Sequence, residues 1–233
     1  MMFLSAALIA IAVVFVWLAL RALLVWINKF RFQKYWQAQL SNKTSPDAIR
    51  VILFGDSISQ GVGATRIKAT FAGRVNAYIK ETTGRPVRVE NYSRSGATAD
   101  QVLEQMSAAD LNNADIVLLE VGANDTFRRT VEQYEADMDK VINKLPLEKT
   151  VIADLPYVKI RKPYQEVLEK LLADKQVARA RASQAFSGFI ASLPVTAGDF
   201  FHPNNKGYGL WFEAFQPGID EVLRRHSLSK VKK

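Results

Sequence analysis

Four short apolar runs that alternate with helical segments constrain the fold of this chain more than any other feature. They are rich in β-branched and aromatic residues, as buried strands are, and span Ile49–Phe54, Val87–Tyr92, Ile116–Val121 and Val151–Leu155. Between them, Thr98 with Gln101 and Thr130 with Gln133 form capping boxes that predict helix starts. Strands that alternate with helices predict a parallel sheet with helices on both faces.

The C-terminal part is expected to add two helices and one more strand. A long helical stretch is predicted over Tyr164–Leu193 and a last helix over Phe212–Leu223, despite Pro217. A last short strand is predicted at Pro194–Thr196.

Small and polar residues collect where the predicted strands end. In chain order, these positions hold Gly55-Asp56-Ser57, then Gly96, then Gly122 to Asp125, then Asp199 to His202. Ligands bind at the carboxyl ends of the strands in an open parallel sheet, so a site is predicted at this edge.

These residue types in this order favour acyl transfer to water. A serine hydroxyl needs a base to become a nucleophile, and His202 is a candidate base that Asp199 can orient. Ser57 lies at a strand-to-helix turn, where an exposed hydroxyl is expected to meet backbone N–H groups. Gly96 and Asn124 offer a backbone N–H and a side-chain amide to an oxyanion. Taken singly, each of these residues also fits a turn, a cap or a structural histidine.

The amino-acid composition excludes several other kinds of functional site. The chain has no cysteine, which excludes disulfides, thiolate zinc sites and a cysteine nucleophile. It has two histidines, so a multi-histidine metal site is not expected. The second, His226, lies in a basic tail and is expected to be solvated, which makes it a poor competitor to His202.

Four blocks of the chain resemble the SGNH hydrolase superfamily, also called GDSL-like lipases and esterases. The blocks are Gly55-Asp56-Ser57-Ile58, Gly96, Gly122-Ala123-Asn124-Asp125 and Asp199-Phe200-Phe201-His202. Ile58 stands where the family name implies leucine. Ser59 replaces the second glycine of a G-x-S-x-G elbow, which argues against an ordinary α/β-hydrolase.

The resemblance implies a three-layer α/β/α sandwich with a parallel, flavodoxin-like sheet. It implies Ser57 as nucleophile, His202 as general base and later acid, Asp199 as the orienting carboxylate, and an oxyanion hole made by Ser57, Gly96 and Asn124. No metal or organic cofactor is implied.

Family members cleave carboxylic esters and thioesters, including lysophospholipids, aryl esters and acetylated sugars. The expected function is therefore a membrane-anchored serine ester hydrolase that works through an acyl-enzyme, lysophospholipase- or arylesterase-like. A catalytically silent module for lipid or glycan binding and an acyltransferase using the same serine are the alternatives.

An uncharged apolar run precedes this domain. Met2–Leu20 holds nineteen residues without a charge, and Ala22–Ile27 extends the run past Arg21. Nineteen helical residues reach about 28 Å, nearly the thickness of the hydrocarbon core, which predicts a transmembrane helix. A cleaved signal peptide and a buried core helix are the alternatives.

Basic residues flank only the C-terminal side of the run, which favours a cytoplasmic hydrolase domain. An extracytoplasmic domain is the alternative, because many similar hydrolases work there.

The expected organisation is an anchor at 1–28, a basic and aromatic juxtamembrane segment with a linker at 29–47, a hydrolase domain at 48–226 and a basic tail at 227–233. The chain carries 31 Lys and Arg against 23 Asp and Glu, a net charge of +8. No nucleic-acid-binding module is recognisable, so nucleic acid is not an expected partner. The expected partners are a small-molecule or lipid ester and the membrane lipids, with no obligate protein partner inferred.

Two basic stretches bear on the substrate. Phe127, Arg128 and Arg129 follow the third block, and Tyr157, Lys159, Arg161 and Lys162 follow the fourth strand. If these loops rim the pocket, they favour an amphiphile with an anionic head; a solvated basic face is the alternative.

Overall fold

The computed structural model describes residues 2–42, 45–156, 159–185 and 193–231, with side chains for all of these except 2–7, 185 and 226–231. The strands are β1 Ile49–Gly55, β2 Val87–Asn91, β3 Ile116–Glu120, β4 Thr150–Ala153 and β5 Ala178–Ala180. The helices are α1 Met2–Leu40, α2 Ser57–Gln60, α3 Phe71–Thr83, α4 Ala99–Ser107, α5 Asp125–Arg128, α6 Val131–Lys144, α7 Lys162–Leu172, α8 Ala182–Ala185 and α9 Asn205–Val231.

The strands form one parallel sheet in the order β2-β1-β3-β4-β5. This is the flavodoxin-like order, and it confirms the fold expected from the sequence. The order reverses direction at β1, so the loops after β1 and β3 leave the sheet next to each other. A ligand-binding crevice forms at such a switch point.

Helices cover both faces of the sheet, and each face has its own apolar core. One core joins Val51 and Leu118 to side chains of α1, α3 and α9. The other joins Ile52 and Leu119 to side chains of α4, α6 and α7. Strands that are buried on both faces need a nearly continuous apolar sequence. For this reason the apolar runs predict these strands clearly. Both predicted capping boxes, at Thr98 and Thr130, are present.

The C-terminal part differs from the expectation. The helix predicted from Tyr164 ends at Leu172, and the chain then adds β5 at the sheet edge. Its alternation, with Ala178 and Ala180 buried and Arg179 partly exposed, is too short to stand out from a helical pattern. Residues 186–192 of the predicted helix lie outside the described residues.

The strand predicted at Pro194–Thr196 is wrong. A 3₁₀ turn occupies Leu193–Val195, and Thr196 forms one isolated antiparallel bridge with Pro203. The chain folds back over only a few residues here, so there is no room for a ladder. The last helix also begins earlier than predicted, at Asn205, and continues through Pro217.

Helix α1 runs as a single helix through residues 28 and 29, where the sequence predicts the end of the anchor and the start of the juxtamembrane segment. Phe32 and Trp36, four residues apart on one helix face, are buried in the core of the hydrolase domain. Trp36 Nε1 donates a 3.0 Å hydrogen bond to the carbonyl of Gln60. Burial of a side chain such as Phe32 stabilises a fold by about 1.5 to 3 kcal/mol. Residues 29–40 are thus part of the domain, and the segment from Leu8 is long and apolar enough to cross a membrane.

Candidate active site

Ser57 lies at the sharp turn between β1 and α2, at the carboxyl edge of the sheet. Asp56 caps α2, and its Oδ1 accepts a 2.9 Å hydrogen bond from the Ile58 N–H. Ser57 is largely buried, not exposed as the sequence predicts, because the loops after β2 and β3 pack around the turn, and its hydroxyl donates a 3.4 Å hydrogen bond to the same oxygen. The turn thus fixes the backbone of Ser57 and leaves its hydroxyl in one weak contact.

Asp199 and His202 form a close pair in the loop before α9. His202 Nδ1 lies 2.6 Å from Asp199 Oδ2, and Asp199 Oδ1 accepts 3.1 Å hydrogen bonds from the N–H groups of Phe201 and His202. Phe200 takes a left-handed backbone conformation with a φ of 56°, which folds the loop tightly enough for these contacts. In the neutral imidazole, the carboxylate holds the proton on Nδ1 and leaves Nε2 as the basic nitrogen.

The pKa of Asp199 reflects the same geometry. Burial alone would raise the pKa of this carboxyl, but the hydrogen bond and charge of His202 and the two backbone N–H groups outweigh burial and lower it. Asp199 is therefore ionised at neutral pH and is suited to stabilise an imidazolium.

The loop of His202 lies against the turn that follows α2. A Cβ placed on Gly63 would lie 3.0 Å from the Cβ of His202, and the charge of His202 acts on Asp56. Among the described residues, no hydrogen bond joins the Ser57 hydroxyl to His202. Such bonds are often long before substrate binds, and a rotation about χ1 of Ser57 would redirect its hydroxyl.

Two backbone N–H groups at this edge are available to a ligand. Within the described part of the chain, the N–H groups of Ser57 and Gly96 donate to no protein acceptor. Gly96 has a φ of +85°, a conformation that L side chains rarely adopt. Arg128 Nη1 donates a 2.7 Å hydrogen bond to the Gly96 carbonyl and so holds this loop in place.

The Asn124 amide is already engaged. Its Nδ2 donates to Asp56 Oδ2 at 2.8 Å and to the Ala97 carbonyl at 3.1 Å. An oxyanion would therefore have to displace one of these acceptors, and the longer contact with Ala97 is the weaker of the two. The amide also ties together the loops after β1, β2 and β3.

A buried acid pair underlies the nucleophile turn, and sequence reasoning missed half of it. Glu120, at the end of β3, is hydrogen bonded to Asp56 and accepts a 3.2 Å hydrogen bond from the Ser59 hydroxyl. Burial and the charge of Asp56 raise the pKa of Glu120 well above its ordinary value. Burial raises the pKa of Asp56 as well, but less strongly, so Glu120 is the member of the pair that holds a proton more tightly. The sequence feature that could have identified Glu120 is a glutamate at the end of an otherwise apolar strand.

Asp125 is a third buried carboxyl near the site. Both of its oxygens accept hydrogen bonds from the Ala99 N–H, at 3.1 and 3.3 Å, which join α5 to the start of α4. Burial raises the pKa of Asp125 to about 6, against the opposing effect of the Ala99 hydrogen bond.

This pKa predicts a pH-dependent contribution to stability. The folded chain binds the Asp125 proton more tightly than the unfolded chain, so the contribution is fully present below about pH 4 and is lost as the pH rises through about 6. Relative to Asp125→Asn, which has no such proton, the wild type should lose up to about 3 kcal/mol of unfolding free energy between pH 4 and pH 7. Denaturant unfolding of both full chains in detergent micelles measures this. A difference that stays constant with pH contradicts it; Asp139→Asn, exposed on α6, controls for the loss of one carboxylate.

The structure brings Ser57, Gly96, Asn124, Asp199 and His202 to one edge of the sheet. The side chain of His226 lies outside the described residues.

Comparison with known proteins agrees with the fold and indicates the family. Residues 53–210 match the model of the GDSL-like Lipase/Acylhydrolase family. The chain is 25% identical over 200 residues to uncharacterized protein YpmR of Bacillus subtilis (strain 168), covering 70% of this chain and 78% of that protein. Its fold is similar to the crystal structure of TesA, with a TM-score of 0.61, 19% identity and coverage of 74% and 99% of the two chains. It is also similar to the psychrotrophic esterase EstA from Pseudoalteromonas sp., with a TM-score of 0.60, 17% identity and coverage of 76% and 99%.

The matched region contains all five of these site residues, from Ser57 to His202. The chain therefore belongs to the GDSL-like lipase/acylhydrolase family and is an ester hydrolase.

Proposed function

We propose that this ester hydrolase cleaves the carboxylic or thio ester of an amphiphile, as a lysophospholipase or arylesterase does, through Ser57, His202 and Asp199. The observation that carries this proposal is the 2.6 Å contact between Asp199 and His202 beside the turn of Ser57. A base held in one tautomer next to a serine with free backbone N–H groups is the arrangement that serine acyl transfer requires.

In the acylation step, His202 Nε2 takes the proton of the Ser57 hydroxyl as Oγ attacks the ester carbonyl carbon. The carbonyl oxygen becomes an oxyanion that accepts hydrogen bonds from the N–H groups of Ser57 and Gly96. The Asn124 amide joins them if its contact with Ala97 opens. The imidazolium then gives its proton to the leaving alkoxide or thiolate, which departs as the alcohol or thiol and leaves an acyl-enzyme.

In the deacylation step, a water molecule takes the place of the leaving group. His202 removes one proton from this water, the resulting hydroxide attacks the acyl carbon, and the same N–H groups stabilise the second oxyanion. The proton returns from His202 to Ser57 Oγ, and the carboxylic acid is released. The ionised Asp199 stabilises the imidazolium in both steps.

The proposal includes a membrane anchor. In the segment before Arg21, the large apolar side chains that the structure describes are exposed except for Leu18, which is partly buried, as expected for a helix surrounded mostly by lipid. The basic residues Lys29, Arg31 and Lys34 all follow the apolar segment, which favours the cytoplasmic side for the hydrolase domain.

A fluorophosphonate probe tests the catalytic proposal. The full chain in detergent should form one covalent adduct, which peptide mass spectrometry should locate on Ser57, and ester hydrolysis should fall in proportion to labelling. Heat-unfolded protein should not react, because a serine hydroxyl without its base is a poor nucleophile. An adduct on another residue, or hydrolysis that persists at full labelling, contradicts the proposal.

A further inference from the structure

We propose that the edge of the sheet that carries the active site lies against the membrane that α1 spans, so that the enzyme takes its ester from that membrane's surface. The orientation rests on the proposed anchor, and the source of the substrate rests also on the proposed hydrolysis.

The direction of α1 across the domain is the first observation. Near its C-terminal end, the carbonyl of Leu40 accepts a 3.0 Å hydrogen bond from Arg88, at the amino end of β2. Further toward its N-terminal end, Val25 packs against Val62 and Ala197, close to the loop of His202. Helix α1 therefore runs antiparallel to the strands, and its apolar half leaves the domain at the carboxyl edge, where the active site lies.

The contact between α1 and the His202 loop sets the height of the site above the membrane. A Cβ on Gly198 would lie 2.5 Å from the Cβ of Arg21 and 2.7 Å from its carbonyl carbon, so the two backbones touch. Arg21 is the first charged residue after the apolar run, and its guanidinium lies 4.6 Å from the centroid of the Trp17 ring. Tryptophan and arginine settle at headgroup depth. The loop that begins at Gly198 is therefore at the same depth.

Hydrogen bonds between α1 and the hydrolase domain fix the height of the site above the membrane. Gln60 Nε2 donates a 2.7 Å hydrogen bond to the Lys29 carbonyl, Asn28 donates to Ala64 at 3.2 Å, and Trp36 donates to Gln60. These contacts hold α1 against the segment that follows Ser57. The membrane-spanning half is a direct continuation of the same helix, so no flexible linker lets the domain turn over.

The exposed apolar side chains provide an independent observation. Outside α1, the large apolar side chains that the structure describes as exposed are all near this edge, and they are Phe127, Ile160, Leu193, Phe200 and Phe201. Phe127 and Phe201 have exposed fractions of 66% and 60%, unusually high for phenylalanine in a soluble domain. We call these five residues the apolar rim. They come from three separate segments of the chain, so the exposed apolar surface belongs to the edge as a whole.

The charges around the apolar rim suit a bilayer surface. Arg128 follows Phe127, and Lys159 precedes Ile160, and both are exposed. Apolar side chains beside cationic ones fit an interface in which apolar groups enter the acyl boundary and cations meet anionic headgroups. The apolar rim lies at the edge where the candidate span leaves the domain. The surface that contacts the apolar rim is therefore the bilayer around α1.

A depth measurement tests the orientation. Because the chain has no cysteine, Phe127→Cys gives one site for an environment-sensitive fluorophore, and Glu148→Cys, exposed at the amino edge, is the matched control. Both full chains are reconstituted in vesicles of phosphatidylcholine and phosphatidylglycerol, with and without lipids brominated near the headgroup. Strong quenching at position 127 and little at position 148 is the expected result. Equal quenching at both positions, or none at 127, overturns the proposed orientation.

A kinetic comparison tests the source of the substrate. A long-chain aryl ester that the enzyme cleaves in detergent, and that is apolar enough not to exchange between vesicles, is placed either in the vesicles that hold the enzyme or in separate ones. Hydrolysis should be at least about tenfold faster in the shared vesicles, since tethering raises the effective concentration of the ester. Detergent should remove the difference. Equal rates in the two arrangements overturn a membrane source.

The two failures can be told apart. If no ester is cleaved in detergent and the fluorophosphonate does not label Ser57, the proposed catalysis fails, and the membrane source of the substrate fails with it. The quenching result still decides the orientation, because it does not depend on activity.

Discussion

Replacement of Ser57 by alanine is expected to lower kcat for ester hydrolysis by about 10⁴- to 10⁶-fold. The variant loses the oxygen that attacks the ester carbonyl, and no other group of the proposed triad can form the acyl-enzyme. Folding should change little, because the Ser57 hydroxyl makes one weak contact, 3.4 Å from Asp56. Steady-state hydrolysis of a chromogenic ester by the full chain in detergent measures the loss, and thermal unfolding shows whether the variant is folded.

A matched control separates the nucleophile from serine residues in general. Ser107 is exposed on α4, where its hydroxyl donates a 2.7 Å hydrogen bond to the Glu104 carbonyl, away from the site. Ser107→Ala should hydrolyse the ester at the wild-type rate. A folded Ser57→Ala chain that keeps more than about one hundredth of wild-type kcat would refute the assignment of the nucleophile, given the losses known for triad serines.

The second large effect is expected for His202→Ala, which should lower kcat by at least about 10³-fold. Without the imidazole, no base removes the Ser57 proton and no acid protonates the leaving group. The same assay measures the loss, with His226→Ala as the control because it is the other histidine of the chain. His226→Ala should retain nearly full activity, and the reverse result would show that the wrong histidine was assigned.

The parallel sheet and the place of the site could be predicted from the sequence. Ile49–Phe54 and Ile116–Val121 are continuous apolar runs, and the capping boxes at Thr98 and Thr130 mark helix starts from residues three positions apart. Patterns of this kind depend on residues that are close together in the chain. They can therefore be recognised without knowing which distant residues pack against them. Alternation then implies parallel strands, whose carboxyl ends must share one edge. The chemical roles of Ser57, Asp199 and His202 stay predictions until the variants are measured.

The tertiary structure alone decided what depends on contacts between distant residues. The sequence shows Phe32 and Trp36 as an aromatic flank of the apolar run, and only packing shows that they belong to the core. Likewise, burial beside Asp56, 64 positions away in the chain, raises the pKa of Glu120 well above its ordinary value. Neither the apolar pattern nor the local spacing encodes which charge comes to lie next to another.

The orientation of the active site relative to the apolar helix also depends on contacts between distant residues. Arg21 and Gly198 are far apart in the chain, yet the contact between their backbones sets which edge of the sheet lies nearest the apolar helix. The sequence by itself determined that this chain has an apolar helix and a hydrolase sheet, because both follow from local patterns of burial. Their relative direction was decided by the packing of α1 along the domain, since only long-range contacts such as those of Val25 and Trp36 fix one rigid element against another.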